Sequence, residues 1–145
     1  MPRTVIDFPD QYHYSTDYSV LIGDINSANH LGADKIFSIM IEAQMRFLAH
    51  LGYAQSTAIE GAGYIMGDTE FIFKSEAVYG DQLQIDVAAC EFAAKSFELR
   101  YRISNKSSEA IVAYIKAGMV FLDYATGKTC PVPEAFKAKV SVAAI

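Results

Sequence analysis

The chain has 145 residues, of which 52% are hydrophobic and 20% are charged, and its formal net charge at pH 7 is −5. These values predict one folded domain over residues 1–145 and exclude an intrinsically disordered chain. The negative charge argues against nucleic acid as a partner, because phosphate binding requires a basic surface.

The first predicted elements are a strand and a long helix. A strand over residues 14–23 is followed by a polar loop and then by a helix over residues 33–51. Asp34 in the first turn and Gly52 after the last turn provide the start and stop signals. Apolar side chains cover almost the whole circumference of this helix, so we expect it to be enclosed on several sides rather than to lie on a surface.

Four strand-like segments follow the helix. They are rich in Ile, Val, Phe and Tyr with partial two-residue alternation, and turn-forming residues separate them. The segments are residues 62–78, 82–93, 96–104 and 110–123, and a short helix or ordered extension is predicted over residues 131–139. This order predicts an antiparallel sheet that curls around the helix, with exposed edges that favour pairing with a second copy of the chain.

The polar loop before the helix carries candidate chemistry. Between Asp24 and Asp34 it contains carboxylates, amides and the imidazole of His30. Helix N-termini present free backbone N–H groups and a dipole that stabilises negative charge, which suits an active site. The same residues can instead cap the helix, and a lone histidine is often structural.

Glu42 is the second candidate, because it lies inside the apolar helix. A buried carboxylate is unfavourable unless it is hydrogen-bonded or faces a cavity. Burial in an apolar pocket would raise the pKa of such a carboxylate toward that of a working general base. The alternative is an ordinary ion pair on the helix surface with Arg46, four residues further on.

The cysteines and histidines indicate neither a metal site nor a disulfide. Cys90 and Cys130 are far apart in sequence, and no spacing of His, Cys, Asp or Glu resembles a zinc site.

The chain has no apolar run of about 18 residues, and its first residues lack the apolar core of a signal peptide. We therefore expect a cytoplasmic protein with reduced thiols, no metal and no membrane partner.

Three segments together resemble one known family. Residues 24–32 read Asp-Ile-Asn-Ser-Ala-Asn-His-Leu-Gly, the helix contains Glu-Ala-Gln-Met-Arg at 42–46, and Tyr-Gly-Asp-Gln-Leu at 79–83 precedes strands. This combination resembles the hotdog-fold acyl-CoA thioesterases, most closely their 4-hydroxybenzoyl-CoA thioesterase branch. The resemblance extends over about residues 14–123.

The resemblance implies a fold, an assembly and an activity. The fold is the α+β hotdog fold, in which an antiparallel sheet of five or six strands wraps around one long central helix. The assembly is a homodimer or homotetramer with sites at subunit interfaces. The activity is hydrolysis of an acyl-CoA thioester to a free acid and CoA, with no cofactor other than the CoA of the substrate. The alternative is a non-catalytic module that binds acyl-CoA.

The loop departs from the family pattern at several positions. That family's loop commonly reads Asp-x-Asp-x-x-Gly-His-Val-Asn-Asn. Asp24 matches the first acidic position and His30 matches the histidine. Asn26 stands at the second acidic position, which is often the catalytic carboxylate, and Asn29 stands where the family often has glycine. The pair at 32–33 is Gly-Ala rather than Asn-Asn.

These departures determine which residues the resemblance implies as catalytic. Because Asn26 cannot act as a base or nucleophile, the catalytic carboxylate is expected at Asp24 or Glu42. His30 completes the predicted catalytic set, and we expect these three side chains to approach one cavity. The predicted substrate-binding residues are Asn26, Asn29, Gly32 and Ala33, with the backbone N–H groups of the last two polarising the thioester carbonyl.

Overall fold

The chain forms a six-stranded antiparallel sheet with two α-helices. A computed structural model describes residues 4–145. The first three residues belong to the predicted domain 1–145 and to the segment predicted to lack a signal-peptide core, and they lie outside the described residues. The elements are β1 (Tyr14–Ser19), α1 (Ala33–His50), β2 (Gly63–Phe73), β3 (Gln82–Cys90), β4 (Ser96–Asn105), β5 (Ile111–Asp123), β6 (Lys128–Thr129) and α2 (Glu134–Val142). One turn of 3-10 helix, Ile22–Asp24, lies between β1 and α1.

The sheet has the strand order β1-β3-β4-β5-β2, and β6 pairs with the end of β5. Every pair is antiparallel. The predicted α+β class and antiparallel sheet are therefore confirmed, with six strands if the two-residue β6 is counted. Strands β1 and β2 lie at the two edges of the sheet, and the outer edge of β2 carries no partner strand among the described residues.

A bulge in β2 keeps its apolar side chains directed toward α1. The pairing with β5 shifts between Met66 and Asp68. Before the bulge, Tyr64 reaches Gln44 of α1, and after it Phe71 packs on Phe37 of α1. Because side chains alternate across a strand, the extra residue restores the inward direction that would otherwise be lost.

Helix α1 buries one face against the sheet. Its buried residues are Ile36, Ile39, Met40, Ala43, Gln44, Phe47 and Leu48. The opposite face is open: Phe37 is 41% exposed, Glu42 is exposed, and Ile41 and Met45 are only half-buried. Within this chain, the prediction that α1 is enclosed on several sides is therefore wrong. Apolar periodicity does not distinguish a face covered by the chain itself from a face left for another copy.

The outer face of the sheet is partly covered by the N-terminal segment. Asp86 of β3 is only 2% exposed and accepts two hydrogen bonds from the guanidinium of Arg102, at 2.8 and 3.0 Å. That guanidinium also lies 4.4 Å from the centre of the Phe8 ring and 5.6 Å from that of Tyr12. This pair, in which Asp86 is buried and the Arg102 side chain is 32% exposed, therefore fastens the segment before β1 to the sheet.

Three polar side chains meet in the apolar core between α1 and the sheet. Tyr64 donates a hydrogen bond of 3.0 Å to Oε1 of Gln44. The hydroxyl of Tyr101 is fully buried and meets no hydrogen-bond partner among the described residues. Burial raises the pKa of both phenols, so both stay protonated at neutral pH. Gln44 lies close enough to the Tyr101 hydroxyl to lower its pKa against the larger effect of burial, but no acceptor among residues 4–145 is in hydrogen-bond geometry with this hydroxyl, which is unfavourable.

Tyr64 donates a hydrogen bond and the Tyr101 hydroxyl makes none among residues 4–145, so the two Tyr→Phe substitutions should have opposite effects on stability. Tyr101→Phe removes an unsatisfied hydroxyl and should raise the free energy of unfolding by about 1 kcal/mol. Tyr64→Phe leaves the buried Gln44 oxygen without its donor and should lower it by about 1–3 kcal/mol. Urea unfolding measures both. If Tyr101→Phe destabilises the protein as much as Tyr64→Phe, the Tyr101 hydroxyl has a partner in solution and this account of the core is wrong.

Candidate active site

Asp24 organises the connection between β1 and α1. Its Oδ2 accepts hydrogen bonds from the Tyr18 hydroxyl at 2.7 Å and from the Leu21 N–H at 2.9 Å. Its backbone oxygen accepts the N–H of Gly32, the residue before α1, at 3.0 Å. One residue therefore holds the 3-10 turn, the end of β1 and the start of α1 together.

The hydrogen bond between Tyr18 and Asp24 has a defined direction. Burial, followed by the hydrogen bond and charge of Asp24, raises the pKa of Tyr18 to about 12. The phenol is therefore protonated at neutral pH and donates to the carboxylate. Smaller contributions come from Arg46, which lowers this pKa, and from Glu42, which raises it. Both α1 charges thus lie within electrostatic reach of the Tyr18 hydroxyl.

Asn26 and Asn29 shape the loop itself. The Asn26 side-chain oxygen accepts the backbone N–H of Ala28 at 2.9 Å and of His30 at 3.2 Å. A carboxylate could accept the same bonds, so asparagine preserves the loop while removing the charge. Asn29 has a φ of 64°, in the left-handed region that favours glycine and asparagine. This conformation explains an asparagine where the resembling family often has glycine.

Glu42 is exposed and paired, not buried. Its Oε2 lies 2.8 Å from Nε of Arg46, and half of the Glu42 side chain, 51%, is exposed. The same guanidinium donates to Oγ1 of Thr16 at 2.9 Å and to the backbone oxygen of Asp17 at 2.7 Å, both in β1. The expectation of a carboxylate buried by this chain is therefore wrong, because the open face of α1 leaves Glu42 at the surface, where it pairs with Arg46.

Asp24 and Glu42 lie on the same face of the molecule. Tyr18, Asp24, Glu42 and Arg46 form what we call the β1 cluster, since Thr16 and Tyr18 extend from the same side of β1 toward the α1 residues and Asp24. Sequence reasoning missed Tyr18. Tyr18 lies four residues after Tyr14, which packs on Phe47 of α1, and two full periods of strand alternation would have indicated that both point to the same side of the strand.

His30 is directed toward a different segment. Its Nε2 lies 2.9 Å from Oε2 of Glu76, in the connection between β2 and β3, and Leu31 donates its N–H to Ala77 at 2.8 Å. Glu76 is 71% exposed, so the pair is a surface interaction. The structure thus places His30 in the same loop as Asp24 but bonds it to Glu76. No sequence signal pointed to Glu76.

The start of α1 offers fewer free amides than the sequence suggested. The N–H of Gly32 is already bonded to the Asp24 oxygen. Ala33 is the first residue of α1, where N–H groups precede the first intrahelical bonds. A Cβ at Gly32 would come within 2.5 Å of Oδ1 of Asp34, an exposed side chain that can rotate away. Ala33 is therefore the better candidate for a donor to a substrate oxygen.

An apolar surface adjoins Glu42. Phe37 of α1 and Phe71 of β2 have ring centres 5.8 Å apart, and Phe73 follows on the same side of β2. Phe73 is 54% exposed, and Ile41 and Met45 of α1 are half-buried. We call these five residues the apolar seam. It lies beside the unpaired edge of β2, so one continuous surface combines apolar side chains with free backbone groups.

Two surface cavities lie away from these residues. One of about 440 Å³ lies between the end of α1 and α2, and one of about 380 Å³ lies on the sheet near the β2 bulge. Neither is lined by Asp24, His30 or Glu42. A cavity shared by the three residues stays a prediction.

Two further properties concern only residues 4–145. In that part of the chain, no group of three or more His, Cys, Asp or Glu side chains is arranged to hold a metal ion. No helix there is long and apolar enough to cross a membrane. The cytoplasmic location stays a prediction.

The fold is that of the hotdog-fold thioesterases. A family model of the thioesterase-like superfamily matches residues 20–140, and the chain belongs to that superfamily. The match confirms the family resemblance found in the loop and helix motifs. No protein with a curated description matches the chain.

Solved structures share this fold. The 1,4-dihydroxy-2-naphthoyl-CoA thioesterase from Synechocystis superimposes with a TM-score of 0.80 at 17% identity, over 90% of this chain and 96% of the other. A gentisyl-coenzyme A thioesterase gives 0.76 at 22% identity, over 88% and 99%. A hypothetical protein from Staphylococcus aureus in complex with CoA gives 0.81 at 14% identity, over 95% and 87%. At these identities the likeness concerns the fold.

The contacts of Asp24 predict a structural role that can be separated from its charge. Asp24→Ala removes the acceptor for both Tyr18 and Leu21 and should lower the free energy of unfolding by about 1–2 kcal/mol. Asp24→Asn retains a side-chain oxygen and should lose less than half as much. Chemical denaturation of the two variants measures this difference. Equal losses would mean that the charge of Asp24, and not its acceptor oxygen, holds the turn.

Proposed function

We propose that this protein hydrolyses acyl-CoA thioesters to a free acid and CoA, with Glu42 as the catalytic carboxylate. Membership of the thioesterase-like superfamily supports thioester hydrolysis. The observation that most supports this assignment is the position of Glu42, which lies in the β1 cluster next to the apolar seam. A reactive oxygen beside an apolar surface suits a substrate that has a thioester next to an apolar acyl group.

Glu42 is favoured over Asp24 because of what each carboxylate already binds. Oδ2 of Asp24 accepts two hydrogen bonds that shape the loop, one of them from a backbone N–H. Among residues 4–145, Glu42 binds only the side chain of Arg46, through one oxygen. The guanidinium fixes the orientation of Glu42 without occupying both of its oxygens, so the other can accept a proton from water.

The proposed reaction uses the residues around the loop. Glu42 takes a proton from a water molecule, whose oxygen adds to the thioester carbonyl carbon. The resulting oxyanion is stabilised by the Ala33 N–H and the positive end of the α1 dipole. When the tetrahedral intermediate collapses, the C–S bond breaks, and Glu42 returns its proton to the leaving CoA sulfur, which regenerates the carboxylate. His30, Asn26 and Asn29 position the substrate, and no cofactor is needed beyond the CoA that the substrate carries.

The complete site would form in a homodimer, or in a homotetramer built from such dimers. Pairing of two β2 edges would satisfy their free backbone groups and cover the apolar seam of each subunit. In that assembly the sheet wraps around α1 as a central helix, and Glu42 becomes enclosed at a subunit interface. Two proteins of similar fold act on aromatic acyl-CoA thioesters and another binds CoA, which supports acyl-CoA as the substrate class.

Substitution of Glu42 tests the catalytic assignment. Glu42→Gln keeps the size of the side chain and a hydrogen bond to Arg46 but removes the base, so kcat should fall by roughly 10²–10⁴-fold. Asn26→Asp keeps the acceptor for the loop N–H groups and restores the carboxylate common in the resembling family, but it should not restore kcat when combined with Glu42→Gln, since the proposed base lies at Glu42. Release of free thiol from a panel of acyl-CoAs measures both.

Asp24→Asn is the matched control, because it also neutralises one carboxylate of the β1 cluster. Its kcat should change far less than that of Glu42→Gln. Full activity in Glu42→Gln together with loss of activity in Asp24→Asn would assign the base to Asp24. In that case the ion pair between Glu42 and Arg46 would be structural only.

The assembly has its own test in the apolar seam. Phe73→Lys places a charge at an exposed position on edge strand β2 and should convert the dimer to monomers while leaving the fold intact. Val5→Lys changes another exposed apolar residue, 76% exposed, outside the seam and should leave the dimer unchanged. Light scattering at micromolar concentration measures the mass. A wild-type monomer would contradict the proposed assembly.

A further inference from the structure

The cavity between the end of α1 and α2 has no part in the proposed reaction. It is lined by His50, Leu51, Ala138, Lys139, Val142 and Ala143 and has a volume of about 440 Å³. That volume lies within the range of small-molecule sites, roughly 300–1,000 Å³. His50 follows Glu42 by eight residues on α1, which places it about 12 Å away along the helix axis. A ligand in this cavity would therefore lie apart from the reacting atoms.

The apolar part of the lining is incompletely covered. Leu51 is 8% exposed and forms a buried wall, whereas the Val142 side chain is 87% exposed. An apolar tail placed between them would remove Val142 from water at a gain of roughly 25 cal/mol per Å² of buried apolar surface. The four residues Leu51, Ala138, Val142 and Ala143 thus offer a surface for an apolar ligand group.

Lys139 supplies a positive charge at the same place. Its ammonium lies 4.3 Å from the centre of the Tyr53 ring, which holds it by a cation–π interaction. Among residues 4–145, no carboxylate forms an ion pair with this ammonium. Lys137, on the same helix, is by contrast paired with Glu134 at 3.4 Å. Lys139 is therefore a positioned cation with no ion-pair partner among residues 4–145, although Glu60 accepts a hydrogen bond of 3.4 Å from the hydroxyl of the same Tyr53.

The second ionisable side chain of the lining is also basic. His50 is the last residue of α1, and its ring centre lies 5.1 Å from that of Tyr14. Its imidazole N–H can donate to an anion. Both ionisable groups of the cavity therefore complement a negative charge, and the lining contains no carboxylate that would repel one.

We propose that this cavity binds a small carboxylic acid with an apolar tail. The carboxylate pairs with Lys139 and accepts a hydrogen bond from His50, while the tail lies on Leu51 and Val142. Free acids of this kind are the products of thioester hydrolysis, so the identity of the natural ligand rests on the proposed function. The binding site itself does not, because its test requires no turnover.

Isothermal titration with octanoate, and with octanamide as its uncharged analogue, tests the proposal. The wild-type protein should bind octanoate saturably and octanamide about tenfold more weakly. Lys139→Met keeps the apolar stem but removes the charge, so octanoate affinity should fall about tenfold. The matched control Lys137→Met, on the same helix but outside the lining, should bind like wild type.

Lys139→Met also removes the cation–π contact with Tyr53. A second variant therefore tests the binding site without changing that contact. Val142→Asp changes a side chain that is already in solvent and places a carboxylate at the rim, so octanoate affinity should again fall at least tenfold. Absence of saturable binding to the wild type, equal binding of octanoate and octanamide, or unchanged affinity in Val142→Asp would overturn the proposal. Octanoate binding that is lost in Glu42→Gln would place the acid in the proposed active site instead and would also overturn it.

Discussion

The guanidinium of Arg46 determines the geometry of the candidate site. It donates to Glu42 on its own helix and to Thr16 and Asp17 on β1, so it joins α1 to an edge strand through two acceptors while it holds Glu42. Its donors have a fixed planar arrangement, and hydrogen bonds that involve a charged group are stronger than neutral ones. The direction of Glu42 is therefore set by β1 as well as by its own backbone.

The loop before α1 uses its polar residues for structure to an unusual degree. Asp24 accepts hydrogen bonds that close the 3-10 turn, and Asn26 accepts those that shape the next turn. Carboxylates at these two positions mark the resembling family, and here both positions stabilise the backbone. Glu42 is thus the carboxylate of the β1 cluster that accepts no backbone N–H within residues 4–145, and it lies at the border of a surface that a second subunit would cover. Assembly and chemistry are thus linked in the proposed account.

The sequence predicted the fold well where a pattern depends on local geometry. Two-residue alternation placed the starts of β3 and β4 at the observed residues, and β6 escaped prediction because two residues carry no periodic signal. The sequence did not predict contacts between segments that are distant along the chain. The exposure of Glu42 depends on which face of α1 the sheet covers, and the bonds of Tyr18 and His30 depend on how the loop folds back. Motif order could identify the family, but only the folded chain assigns these partners.

Thioester hydrolysis by the purified wild-type protein is the central claim, and the rival is a module that binds acyl-CoA without cleaving it. The most direct measurement is the amount of free CoA thiol and of carboxylic acid formed from short, long and aromatic acyl-CoAs. The account predicts equal amounts of both products, many equivalents per protein chain, for at least one acyl-CoA. Saturable binding of acyl-CoA with no thiol released from any member of the panel would contradict it.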